Sequence, residues 1–307
     1  MINRQLFMII ALSSNLMLFN LTFSGCNSNT WENNEKITGY DFTNPDKTLV
    51  LPDILLEISG LTVIDSVTIA CVQDENGILF IYDLLKNKIK KQYTFNIDGD
   101  YEGITRIQNT IYILRSDGTL FEIFNFTTKD FKVNTYQTGI PAKNNEGLCY
   151  DADGNRLLIA CKGKVAKGHA YKDKRVIHAF DLRTKKLSAE PIFNFDVSAI
   201  KTFIQKKNYP FPSRTKKKGE ITEPIIKFLP SAIGIHPITK KLYLLSASDH
   251  CLFIFNMDGK IEHIEPLNPA LFNKAEGITF FENGDLIITN EGQNKKPTLL
   301  RFNYRNF

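Results

Sequence analysis

One motif returns along this chain and constrains its fold more than any other feature. It is an x-Gly-hydrophobic step followed by a turn rich in Asp, Asn and Gly, seen in "EISGLTV" (Gly60), "DYEGITR" (Gly103), "NNEGLCY" (Gly147), "SAIGIHP" (Gly234) and "KAEGITF" (Gly277). Successive glycines lie 43, 44, 87 and 43 residues apart. Each start leads into further strands around a polar turn, as in "ILFIYDLLKNKIKKQYTF", "TLFEIFNFTTKDFKVNTY", "RVIHAFDLRTKKLSAEPIF" and "CLFIFNMDGKIEHIEPL". Past residue 50 the apolar residues alternate or run short, with little at helical spacing, so the chain is all-β. A period of about 40 to 50 residues built from four strands is that of β-propeller blades, because one such sheet cannot bury both faces alone and a ring of them can.

The double gap between Gly147 and Gly234 equals two periods, so six blades is the alternative count. Its contents favour five blades and an insertion at about residues 196–230. "DVSAIKTFIQKKN" is amphipathic at helical spacing, with Val197, Ile200, Phe203 and Ile204 apolar and Asp196 or Ser198 available as N-cap. "YPFPSRTKKKGEITEP" follows, and its prolines and basic run cannot supply a buried strand pair. The fifth unit ends in "TLLRFNYRNF" and lacks an outermost strand, which "KTLVLPDI" ahead of the first unit can provide. That exchange ties the two ends of the ring together and removes an open edge.

The N-terminus reads as a targeting segment. Arg4 is followed by an apolar run from Leu6 to Phe23 and then by "FSGC", which resembles a bacterial lipobox ending at Cys26. Ordinary cleavage and an uncleaved anchor are the other readings; Asn15 and Asn20 interrupt the run and weigh against the anchor. The expected organisation is a lipoprotein signal peptide at 1–25, a polar tether at 26–44 and a propeller at 45–307, held in the cell envelope at the outer membrane by the lipid on Cys26. The remaining cysteines, Cys71, Cys149, Cys161 and Cys251, lie in apolar strand-like runs, where free buried thiols are expected over disulfides. The net charge of +5 is mild and its basic run, "RTKKKGE", reads as a solvated loop. No nucleic-acid partner is expected.

In a propeller the first strand of each blade lines the central tunnel. Glycine suits that crowded place because it has no Cβ to meet the next blade. Before the glycine stand Glu102, Glu146 and Glu276, with Ser59 and Ile233 at the matching positions of the other two blades. Ring symmetry brings the three carboxylates together, and like charges held close cannot all stay ionised uncompensated. Their pKa values rise, or basic or backbone donors satisfy them, or a cation binds. Ca2+ takes oxygen ligands, and Glu102, Glu146 and Glu276 with Ser59 form the candidate metal set. A second set follows the second strand of each unit and belongs at one end of the ring: Asp74, Arg115, Lys162, Asp249, His250 and Glu291 are candidates for a ligand-binding face.

Together "EISGL", "DYEGI", "NNEGLCYD", "PSAIGIHPITKKLYLLSASD" and "AEGITFFENGDLIITNEG" resemble the SdiA-regulated, YjiK-like family of bacterial propellers, distant relatives of NHL-repeat proteins. The resemblance covers about residues 50 to 305 and implies a five-bladed propeller with a central calcium site. Some more distant NHL-like propellers are calcium-dependent lactonases or esterases, so a hydrolase using the glutamate-held metal with Asp249 or His250 nearby is the alternative function. The chain has no G-x-S-x-G elbow. The preferred expectation is a module that binds a small ligand, glycan or protein partner.

Overall fold

The computed structural model describes residues 37–128, 130–166, 168, 171–215 and 222–305. The segment expected as signal peptide, with Cys26 and most of the tether, lies outside the described residues, as does most of the basic run after Arg214.

Five antiparallel blades surround a tunnel. Their inner strands are Ile58–Asp65, Tyr101–Ile107, Asn145–Asp151, Ala232–Ile235 and Ala275–Phe280, each next to the inner strand of the following blade, and the fifth next to the first. Five blades, not six, fill the ring. The fifth holds only Ala275–Phe280, Leu286–Asn290 and Thr298–Phe302 from the C-terminal end, and its outermost strand is Lys47–Val50, paired antiparallel with Thr298–Phe302. The expected closure by "KTLVLPDI" is therefore the one observed. It leaves neither terminus holding an unpaired inner edge.

Each blade hides its apolar residues against its neighbours, so the core is five wedges rather than one centre. Leu61, Ile104, Leu148, Ile233 and Ile278 contribute one aliphatic side chain to each wedge at the tunnel side. The four cysteines are all free and buried. Burial pushes the Cys71 and Cys161 thiols up to about 12, so they pack as small apolar groups.

The interval between the third and fourth blades carries helix α1, Val197–Lys206. Asp196 caps it by accepting from the Ser198 N–H at 2.8 Å, and Val197, Ile200 and Ile204 are its buried stripe. They extend the wedge formed by Phe195, Phe228, Phe253 and Phe255. A short ribbon, exposed Ser213–Thr215 paired with Thr222–Pro224, follows. The last residues of the expected polar tether are part of the folded body. Tyr40 and Phe42 are buried against the fifth blade, and the Tyr40 hydroxyl donates to the Gly284 carbonyl at 2.5 Å. Two aromatic residues in three positions supply apolar area that the surrounding polar sequence conceals.

Candidate functional site

The glutamates reach the tunnel through a backbone device that composition does not reveal. Tyr101 pairs with Arg115 and Gly103 with Leu114, leaving Glu102 as the extra residue of a β-bulge. The same irregularity leaves Ser59, Glu146 and Glu276 unpaired in their strands. A bulge bends its strand and re-aims the side chain it carries, which otherwise would follow the strict alternation of the strand.

The fourth blade has no such bulge, and this corrects the expected alignment. Ala232, not Gly234, occupies the glycine level, and Ser231, not Ile233, occupies the glutamate level. A Cβ placed on Gly60 would stand 3.1 Å from Ile104, one on Gly103 2.6 Å from Leu148, and one on Gly277 2.6 Å from Leu61. Gly147 meets Ile233 in the same way, at 2.7 Å, so Ile233 belongs with the aliphatic ring. Ser231 donates to the Ala275 carbonyl at 2.9 Å just as Ser59 donates to the Tyr101 carbonyl at 2.5 Å. Both serines brace one blade against the next, and the Ser59 hydroxyl proton is committed there.

Around the tunnel the level thus reads Ser59, Glu102, Glu146, Ser231, Glu276. Lys162 Nζ stands 2.7 Å from Glu146 Oε2, and Lys274 Nζ stands 3.5 Å from Glu276 Oε1 and 2.6 Å from Glu291 Oε2. Lys162 is thus the direct counter-ion of the buried Glu146 carboxylate. Glu102 is the exception among the three glutamates. Its side chain meets Asp100, and burial, with Glu146, Asp100 and Glu276 adding to it, pushes its carboxyl up to about 9. Burial also lifts Glu146 to about 7, with Lys162 opposing and Glu276 reinforcing the rise. Asp74 rises to about 7 through burial and the charges of Glu57 and Glu291. Burial works against the charge on Lys162, yet Glu276 and Glu146 outweigh it and hold its pKa above the ordinary lysine value.

Of the six residues expected on the ligand face, the structure brings Asp74, Lys162 and Glu291 together with the glutamates. The other three serve local roles. Arg115 pairs with Asp117 at 2.7 Å; Asp249 accepts from the backbone N–H groups of Lys227 and Phe228 at 2.9 and 2.8 Å, tying down the chain as it returns from the insertion. His250 closes a turn at φ 48° with its Nδ1 3.2 Å from the Phe272 carbonyl. Sequence reasoning missed Glu57, Asp100 and Lys274. All three stand two residues before the glutamate level, at Ser59, Glu102 and Glu276, so the two-residue period of the strand carried the signal.

The carboxylates sit above a closed throat. The void bounded by Ser59, Glu102, Glu146, Glu276 and the aliphatic ring holds about 10 Å³, roughly the room of one water. Past the ring the tunnel widens into a funnel of about 740 Å³ at the opposite end. Among the described residues, no group of three or more Asp, Glu, His or Cys side chains is placed so as to hold a metal ion as they stand.

No family model matches the chain, and no curated protein matches it. Solved structures do. A glutaminyl cyclase from Myxococcus xanthus is similar over 85% of this chain and 96% of its own, at 12% identity and a TM-score of 0.55. A virginiamycin B lyase from Staphylococcus aureus aligns over 84% of this chain and 73% of its own, at 13% identity and a TM-score of 0.42. A streptogramin B lyase aligns over 84% and 97%, at 13% identity and 0.45. The likeness, at such identities, is one of fold: the chain is a β-propeller.

Proposed function

We propose that the protein is a binding propeller of the cell envelope, akin to the SdiA-regulated, YjiK-like family, which takes a cation at its carboxylate mouth, with Ca2+ the expected one. The observation that carries this reading is a surplus of acid. Glu57, Asp74, Asp100, Glu102, Glu146, Glu276 and Glu291 act on one another across the mouth, and among the described residues only Lys162 and Lys274 pair with any of them. The donor chemistry suits a hard cation, since every candidate ligand is an oxygen and, among the described residues, no lysine forms an ion pair with Glu102, though the Lys162 charge acts on it from farther off. Lys162 and Lys274 already stand on Glu146 and Glu276, so an ion would share those carboxylates with them. When bound, it would supply the charge that lets Glu102 ionise.

The throat supports binding over hydrolysis. A void of about 10 Å³ beside the carboxylates seats no scissile group. Export and lipidation at Cys26 rest on the N-terminal sequence, and labelling by radioactive palmitate that disappears in Cys26→Ser is the expected result. For the cation, calorimetric titration of residues 30–307 with Ca2+ is the direct test, because that span holds every strand of the closed ring. One-to-one binding abolished by Glu102→Gln is expected. Absence of any Ca2+ heat in the wild type sinks the metal reading and leaves the lysines as the permanent counter-ions.

A further inference from the structure

The funnel at the far end of the tunnel has a lining unlike that of the carboxylate mouth. Its floor is the aliphatic ring, which separates it from the glutamates. Its wall carries Thr62, Thr105 and Thr279, whose hydroxyls have no hydrogen-bond partner among the described residues. They sit one residue past Leu61, Ile104 and Ile278, so the same ring symmetry that assembles the floor assembles this belt of hydroxyls. Tyr150 presents a partly exposed aromatic face on the same wall.

Three of its charged groups are engaged within the protein. Arg106 donates from Nε to the Gln108 carbonyl and from Nη1 to the Ile64 carbonyl, both at 2.6 Å. Arg301 pairs with Asp285 at 2.5 Å and lies 4.6 Å above the Phe281 ring. Its Nε is buried without an acceptor. Asp65 Oδ1 accepts from the Val67 N–H at 2.9 Å. Both guanidiniums are thus already engaged with protein acceptors, and of the two carboxylates on the lining Asp65 is held by backbone while Glu282 stands exposed.

From this we infer that the funnel is a second binding site, for a short neutral saccharide. A sugar offers apolar C–H faces for Tyr150 and the aliphatic floor, and hydroxyls that both donate and accept for the threonines. The volume of about 740 Å³ lies within the roughly 300–1,000 Å³ of small-molecule sites. The inference does not rest on the cation reading, since the closed throat separates the two ends.

Saturation-transfer NMR and calorimetry on residues 30–307 with maltotriose, cellotriose and chitotriose test it, with trigalacturonate as the anionic comparison. At least one neutral trisaccharide binds one-to-one, at least tenfold more tightly than trigalacturonate. Tyr150→Ala weakens that binding at least tenfold, and Thr105→Val, which keeps the shape and removes one hydroxyl of the belt, weakens it measurably. Glu102→Gln leaves it unchanged, which keeps failure of the cation reading distinct from failure here. No binding by any of the three neutral sugars, preference for the anionic one, or binding untouched by both funnel variants overturns the proposal.

Discussion

Glu102 makes stability depend on pH in a direction opposite to that of an ordinary paired carboxylate. Its ordinary value of 4.5 is raised to about 9 in the folded protein. The folded state therefore holds a proton that the unfolded state has released between those values. Stability from this group is fully present below about pH 4.5 and is lost as pH rises through 9. At about 1.4 kcal/mol per pKa unit the upper limit is roughly 6 kcal/mol. Solvent screening at a partly exposed carboxyl, and charge shared with Asp100, reduce this to about 2–3 kcal/mol. Glu102→Gln keeps the shape and removes the titration, so the variant should be about 2–3 kcal/mol more stable than wild type at pH 9 and nearly equal to it at pH 5. Urea denaturation followed by circular dichroism at pH 5, 7 and 9, with chelator present, reads the difference. Added Ca2+ should shrink it, because a bound cation favours the ionised form. Wild-type stability that climbs between pH 7 and 9, or a Gln variant that declines in parallel with wild type, would refute the assignment of the proton to Glu102.

Other consequences follow from neighbouring residues. Lys162→Met strands Glu146 without its ion pair and should cost about 3 kcal/mol at pH 8, most of it recovered in the double variant with Glu146→Gln, as a denaturation cycle would reveal. Gly103→Ala drives a Cβ to 2.6 Å from Leu148 and 2.9 Å from the Glu146 carbonyl, so thermal melts should show a loss of about 1–3 kcal/mol, whereas Ala232→Gly at the same level of the fourth blade should cost about 1 kcal/mol or less. His236 is fully buried among Tyr40, Tyr243, Phe280 and Tyr304, and its Nδ1 accepts from the Ile238 and Thr239 N–H groups, both at 3.1 Å. Burial, then Lys241, pulls its pKa down to about 4, so stability falls as pH drops from 6.5 towards 4, by up to about 3 kcal/mol. An NMR titration in which the His236 ring protonates near pH 6.5 would contradict this.

Much of the architecture could be read one residue at a time. The recurring glycines announced the blades because a close approach at the axis leaves no room for a Cβ, and four of the five expected glycines make that approach. The amphipathic stripe of α1 and its Asp196 cap were legible because helix formation there is local. The fourth blade was misaligned by two residues because "SAIGIHP" offers a glycine in the wrong place, and only contact with the neighbouring blades shows Ala232 and Ile233 at the levels of Gly60 and Leu61. Tyr40 and Phe42 escaped notice for a similar reason. Their burial depends on a surface made by residues more than two hundred positions away.

A closed ring of blades, an insertion between the third and fourth, and the meeting of Glu102, Glu146 and Glu276 at the axis are legible in the chain before it folds. Those follow from period, alternation and symmetry, which are properties of a linear pattern. Tertiary structure alone decided how the acid is compensated: Lys162 on Glu146, Lys274 bridging Glu276 and Glu291, and Glu102 left with Asp100 and a retained proton. The physical reason is that a pKa depends on burial and on charges within a few ångströms, and β-bulges, which shift a side chain by one pairing step, set those distances.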